Sequence, residues 1–468
     1  MLFNSLHFLI FLPIIVALYY LVPHRFRWML IFVGSCYFYM VFVPKYILIL
    51  FFIILVDYVA ALTIEKVEGR LKFFYLLASL AANIGLLSFF KYFNFLNENL
   101  VSVFSLFGKE FHPVNLNILL PIGLSFHTFQ SMSYTIEVYR GKQKAERHLG
   151  YFANYVLFFP QMVAGPIERY DTLGNELRKE VKPLYQNFSD GFKLILFGLF
   201  IKMTVADNIA PFVNQVYNDP MKHSSSQILG AVFLFSIQIY ADFFGYSTIA
   251  LGSARLLGIK IMDNFKTPYL SKSVSEFWTR WHISLSTWFR DYLYISLGGN
   301  RVGIPRWCLN IMIVFMVSGL WHGASWTFVV WGALHGLMLL LERAASSLFK
   351  FEIKPEWNFI NVILTIKTFV ITSFIWIFFR AEDFAKAKLI MKGLVKNWQI
   401  PSVETSIAMA VIMSAVIIVT DLFLYKGRFD LLLNKFKTPY RWAVYTVLLF
   451  FIMALSGTQK FTFIYFQF

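Results

Sequence analysis

The chain has 468 residues, 58% of them hydrophobic and 19% aromatic, with a mean hydropathy of +0.61. Soluble domains sit near about 45–50% apolar, so a single soluble core is excluded and a polytopic membrane protein is indicated. The net charge of +16 does not signal a nucleic-acid partner, because the basic residues fall in short loops between apolar runs, where the positive-inside rule puts them.

Apolar runs close to the ~20 residues that cross a bilayer lie near 6–22, 28–44, 46–64, 73–90, 115–135, 151–165 and 190–209 in the first half. Others follow near 228–251, 309–320, 324–341, 359–379, 407–425 and 441–456, with two or three of the whole set expected as half-spans. The first run is followed, not preceded, by His24, Arg25 and Arg27. That is the reverse of a signal peptide, so the run is expected to stay as the first span. The loops holding Arg25/Arg27, Lys66/Arg70/Lys72, Arg140/Lys142/Lys144/Arg147 and Lys426 to Arg441 are the basic ones. Putting them in the cytoplasm places the N-terminus and the segment after Ser456 on the outer side.

Residues 253–308 carry Arg255, Lys260, Lys266, Lys272, Arg280, Arg290, Arg301 and Arg306 among many aromatics. Such a stretch is tolerated at membrane depth only when packed in protein or lining a cavity, so a cytoplasmic re-entrant or interfacial layer is expected. No internal repeat or soluble domain stands out, and 1–468 reads as one membrane domain with an aromatic tail at 457–468. Cys36 and Cys308 are far apart, there is no C-x-x-C spacing, and no metal site is expected. Nucleotide-loop, dinucleotide, zinc-protease and serine-hydrolase signatures are absent from the sequence.

His322, in SGLWHGASW (Ser318 to Trp326), is ionisable inside an apolar stretch, which marks either a functional path or a paired polar site. Gly319 and Gly323 thin the helix wall beside it. Trp321 and Trp326 supply bulk suited to a tunnel lining or to an interfacial belt. His282 lies in SEFWTRWHISLSTWFRDYLYISLGGNR, and Trp278, Arg280 and Trp281 around it suggest a vestibule for an anionic nucleotide or carrier. Two such histidines point to acid–base chemistry at membrane depth. His335, read as lying on the same helix as His322 but on another face, and His127 are expected to be structural. Asp207 and Asp242 need cations, and Lys202 and Arg255 are in position to supply them. The ending FTFIYFQF is either an interfacial anchor or a tail that folds back. Between Ser456 and Tyr465 the chain can extend ~30 Å, enough for Tyr465 to reach a buried centre from outside.

These blocks, together with MLFNSLHFLIFLP, PIGLSFHTFQSMSY, FFPQMVAGPIERY and YADFFGYSTIALGSARLLGI, occur in order along nearly the whole chain. The sequence resembles the membrane-bound O-acyltransferase family, in particular its bacterial alginate, peptidoglycan and exopolysaccharide O-acetyltransferases. The resemblance implies an all-α fold, a ring of about 11–13 transmembrane or re-entrant helices around a central tunnel. It matches His322 to the family's catalytic histidine and His282 to a second polar position that is asparagine or aspartate elsewhere. His127 departs from the aromatic residue expected at its place. The FIYFQF ending is similar to the tyrosine-bearing tail of a small partner protein in teichoic-acid D-alanylation, which makes Tyr465 a candidate acyl relay. The implied donor is acetyl-CoA or another acyl thioester, with no tightly bound cofactor. The implied setting is the bacterial inner membrane, with membrane lipids, an extracytoplasmic acetyltransferase partner and an acyl-carrier protein as possible companions. A phenol of ordinary pKa about 10 forms an ester more reactive than a sugar ester, and a histidine near neutrality suits the proton transfer. The rivals are a D-alanyl-type transferase, a polysaccharide-precursor transporter, for which no inverted repeat is found, and a non-catalytic scaffold.

Overall fold

The computed structural model describes residues 1–113, 116, 120–349, 358–399, 405–456 and 463–466. Among these every regular element is helical. The opening helices are α1 (Leu6–Leu21), α2 (His24–Met40), α3 (Pro44–Ile64) and α4 (Gly69–Leu106). After them come α5 (Leu124–Tyr139), α6 (Leu149–Leu157), α7 (Tyr185–Asn218) and α8 (Ser225–Leu256). Two seven-residue helices, α9 (Val274–Arg280) and α10 (Ile283–Phe289), precede α11 (Ile304–His322) and α12 (Trp326–Phe349). The chain continues with α13 (Phe359–Arg380), α14 (Phe384–Lys396), α15 (Thr405–Leu424) and α16 (Thr438–Leu455).

Nine of the described helices (α3, α4, α7, α8, α11, α12, α13, α15 and α16) are long and apolar enough to cross a membrane. Differences from the sequence reading have local causes. The run at 151–165 yields only the nine-residue α6, because Pro160 and Pro166 deny the backbone donors a longer helix needs. The run at 115–135 begins its helix at Leu124, after Gly123 takes φ +75°; residues 115 and 117–119 lie outside the described set. The runs at 73–90 and 190–209 grow to 38 and 34 residues, each continuing through a π-helical turn, Ser88–Tyr92 and Phe200–Ala206. Between Leu256 and Ile304 the chain forms only short helical pieces, as its density of charge requires.

The chain divides into two compact units, Met1–Gly191 with Ala250–Met262, and Phe192–Ile249 with Asp263–Phe468. In the first, Asp57 of α3 is fully buried and satisfied within the helix packing. Asn83 of α4 donates to both its oxygens at 3.0 Å, and the Ser79 hydroxyl donates to one of them. His127 of α5 is likewise internal, its Nδ1 2.8 Å from the Val156 carbonyl. Arg255 pairs with Asp190 at 3.5 Å, not with Asp207 or Asp242.

In the second unit two close helix crossings set the geometry. Gly198 of α7 and Gly245 of α8 pack backbone to backbone, since a Cβ on Gly198 would stand 2.7 Å from the Gly245 carbonyl oxygen. Gly319 of α11 and Gly332 of α12 do the same, as a Cβ on either would collide with a carbonyl of the other helix, at Phe328 and Phe315. The first crossing brings Lys202 beside Asp242; the second brings the end of α11 against Trp331 of α12.

Candidate active site

α11 ends at His322 and α12 begins only at Trp326. His322 and His335 therefore stand on different helices, contrary to the single helix read from sequence. The loop between them is short because Gly323 follows His322 in extended backbone (φ −162°). His322 is 5% exposed and enclosed by rings: Trp321 at 4.9 Å, Trp331 at 5.0 Å, Phe379 at 5.1 Å and Tyr465 at 5.7 Å between centroids. Tyr465 also packs on Phe243 at 4.6 Å and stacks on Phe463 at 5.5 Å. Its hydroxyl is buried with no hydrogen-bond partner among the described residues. A buried hydroxyl is normally bonded, and this one lies beside the His322 imidazole. Of the tail read at 457–468, only 463–466 is described.

Two turns of α7 and α8 hold that segment. The π-helical turn Phe200–Ala206 aims Lys202 inward. The Lys202 ammonium lies 2.6 Å from Asp207 Oδ1 and 2.6 Å from Asp242 Oδ1, and all three side chains are largely buried. The second Asp242 oxygen, Oδ2, accepts the Ile464 backbone N–H at 2.6 Å.

His282 is fully buried in left-handed backbone (φ 41°, ψ 55°) as the residue that opens α10. A non-glycine residue there is strained unless its surroundings enforce it. Asn264 does so: its carbonyl accepts the Ile283 N–H at 2.9 Å and its Oδ1 accepts from the Ser284 hydroxyl at 2.6 Å. The His282 ring sits 4.8 Å from Phe243 and 6.1 Å from Trp321. Phe243 and Trp321 thus link both histidines to Tyr465. Of the vestibule residues, Trp281 is a core side chain, 1% exposed and stacked on Phe277 at 5.4 Å. Arg280 is committed to Glu276 at 2.8 Å, to the Lys266 carbonyl and to the Tyr425 ring. Trp326, read as wall, is 52% exposed at the start of α12. Arg280 and Trp281 are thus engaged by the Glu276 pair and by ring packing, whereas Trp326 stands open, as an interfacial ring does. Trp278 does line a cavity of about 520 Å³, together with Thr287, Arg290, Tyr294, Phe315 and Ser318. Ser318 lies one turn before His322 on α11, and Trp278 touches Trp331 at 5.7 Å and donates to His335 Nδ1 at 3.4 Å.

The profile of the membrane-bound O-acyltransferase family matches residues 143–381. A probable alginate O-acetylase of Pseudomonas putida is 35% identical over 445 residues, 94% of this chain and 90% of that protein. The chain belongs to the membrane-bound O-acyltransferase family. A peptidoglycan O-acetyltransferase of Helicobacter pylori is 34% identical over 77% of this chain and 72% of its own length. A teichoic acid D-alanyltransferase of Streptococcus thermophilus is 34% identical over 48% of this chain and 57% of its own. As a member of the family the protein is a multi-pass membrane O-acyltransferase. The family block 143–381 contains His282, His322, Lys202, Asp242 and every named residue of the cavity, whereas Tyr465 lies outside it. Sequence reasoning missed Asn264, Arg290, Trp331, Phe379 and the bond from Asp242 to residue 464. Trp331 and Phe379 sit in apolar runs where a lipid-facing ring and a core ring look alike, and Asn264 acts through backbone geometry that no pattern announces.

Proposed function

We propose that this acyltransferase takes an acetyl group from a cytoplasmic thioester, carries it as an ester on Tyr465, and delivers it outside for O-acetylation of a cell-envelope or secreted polysaccharide. One observation carries the reading: the Tyr465 ring lies against His322 with its hydroxyl buried and open. In the first step His322 accepts the phenolic proton and the phenolate oxygen attacks the thioester carbonyl carbon. The carbon–sulfur bond breaks, and the departing thiolate takes the proton from His322. In the second step an acceptor hydroxyl attacks the tyrosyl ester and the phenol is regained. His282 supports the charge that develops on the carbonyl oxygen. The cavity beside Trp278 and Arg290 admits the thioester arm; the Arg290 guanidinium, paired with Asp291 at 2.8 Å and 60% exposed, exchanges that partner for a phosphate when the donor binds. The donor is acetyl-CoA or an acyl-carrier protein, used as co-substrate.

The reach of the relative matches favours acetyl over D-alanyl transfer, since the alginate relative covers 94% of the chain and the D-alanyltransferase 48%. The loop charges support a bacterial inner membrane orientation with Lys142 inside and the 463–466 segment entering from the outer side. An extracytoplasmic acetyltransferase then receives the group. The test uses purified full-length protein, labelled acetyl-CoA and mass analysis of the C-terminal peptide. Wild type should gain one acetyl group at Tyr465, and Tyr465→Phe should gain none while still binding donor. Polymer acetylation by Tyr465→Phe at the wild-type rate would defeat the relay.

A further inference from the structure

We propose that Asp242, oriented by Lys202, is the latch that seats the 463–466 segment and sets Tyr465 against His322, which makes both residues positioning groups; the inference rests on the relay reading above. Lys202 contacts one oxygen of Asp242 and leaves the other to the Ile464 N–H at 2.6 Å. With Asp207 also on Lys202, two carboxylates share one ammonium, so the buried group has an excess of acceptor capacity. A backbone N–H answers that excess, and hydrogen bonds to carboxylates are stronger than neutral ones. An empty latch leaves a buried carboxylate oxygen without its donor, which is costly.

The neighbours of Asp242 fix the register. Asp242, Phe243 and Tyr246 form one patch of α8. Phe463, 0% exposed, packs on Tyr246 at 4.7 Å and on Phe243 at 5.5 Å. Tyr465 packs on Phe243 at 4.6 Å and on Phe463 at 5.5 Å, and His322 is its neighbour at 5.7 Å. One carboxylate therefore reads residue 464 by its backbone, while rings on either side decide which residue reaches the histidine. A seat made of one hydrogen bond, the ring contacts of Phe463 and Tyr465 and the buried Ile464 side chain holds the segment during acyl loading yet lets it leave toward an outer acceptor, as a carrier must.

Trypsin cleavage after Lys460 reports the seat, because a protease must take in residues beyond the scissile bond and Phe463, three residues on, is buried while the segment is seated. When opening is fast, its rate follows the open population. Ile464→Pro deletes the donor without touching the ion pairs, and release of the peptide beginning at Phe461 should rise roughly tenfold. Asp242→Asn should raise it by a smaller factor, and the double variant should release no faster than Ile464→Pro alone, since both remove one interaction. Acetylation of Tyr465 should slow in step in both variants at an unchanged KM for acetyl-CoA, a split that a general folding defect would not give. Release at the wild-type rate in Ile464→Pro, or factors that multiply in the double variant, would overturn the latch. If Asp242→Asn does not yield monodisperse protein, Ile464→Pro decides alone. Faster release with no acetyl group ever found on wild-type Tyr465 keeps the latch and removes the relay; an acetylated Tyr465 with unchanged release does the reverse.

Discussion

The two units bury histidine in opposite ways. His127, in the first, gives one ring nitrogen to the Val156 carbonyl at 2.8 Å and packs edge-on to Tyr39 at 6.3 Å. Its partners belong to the fixed helical frame. His322, in the second, is walled by four rings, and one of them, Tyr465, comes from a segment held through Asp242. The buried carboxylates repeat the contrast. Asp57 is satisfied by Ser79 and Asn83 of the neighbouring helix, whereas Asp242 is shared between Lys202 and the N–H of residue 464. Polar groups whose partners are all frame atoms stabilise a fold; polar groups whose partner is a separable segment can work in a cycle.

Substitutions at four residues test that contrast, in falling order of effect. His322→Ala should lower acyl transfer by at least ~100-fold, the scale of a lost general base, with expression and detergent behaviour near normal. Retention of a tenth of wild-type turnover would remove it from that role. His282→Ala should reduce turnover by roughly a hundredfold if it stabilises the carbonyl oxygen. His282→Asn separates chemistry from strain, because asparagine tolerates left-handed backbone. If Asn restores thermal stability and full turnover, a hydrogen-bond donor suffices at this position and the imidazole transfers no proton. Trp278→Phe removes the donor to His335 Nδ1 and narrows the cavity wall less than alanine would; the bond is long at 3.4 Å. A change of a few-fold, seen in the KM for the thioester and not in kcat, is expected, and an unchanged KM would separate Trp278 from the donor path. His127→Ala should destabilise the protein by about 1–3 kcal/mol, visible as a lower thermal midpoint, and leave transfer per folded molecule unaltered. A selective loss of transfer there would erase the distinction between the two histidines.

Much of this was legible in the residues themselves. Long apolar runs separated by basic loops fix a polytopic helical protein, because hydrocarbon accepts only backbone whose polar groups are satisfied within the segment. An ionisable side chain in such a run is conspicuous, so His322, Asp207, Asp242 and Lys202 stood out, and the tail was long enough for Tyr465 to reach a buried centre. The failures were of two kinds. Arg280 and Trp281 looked like a ligand-binding pair, yet one closes an i,i+4 ion pair with Glu276 and the other stacks on Phe277. Arg255 looked like a partner for Asp242 and lies with Asp190 instead.

By itself, then, the sequence determined the membrane class, the order of the apolar runs, nine of which lie in long apolar helices among the described residues, and the short list of chemically able side chains, since each depends on local polarity and spacing. Tertiary structure alone decided which of them meet. Backbone contact at Gly198 and Gly245 brought Lys202 to Asp242, the break after His322 turned two histidines onto separate helices, and the N–H of Ile464 chose Asp242. These pairings join residues as many as 222 positions apart, and distance in space between such residues is set by helix packing that no local pattern encodes.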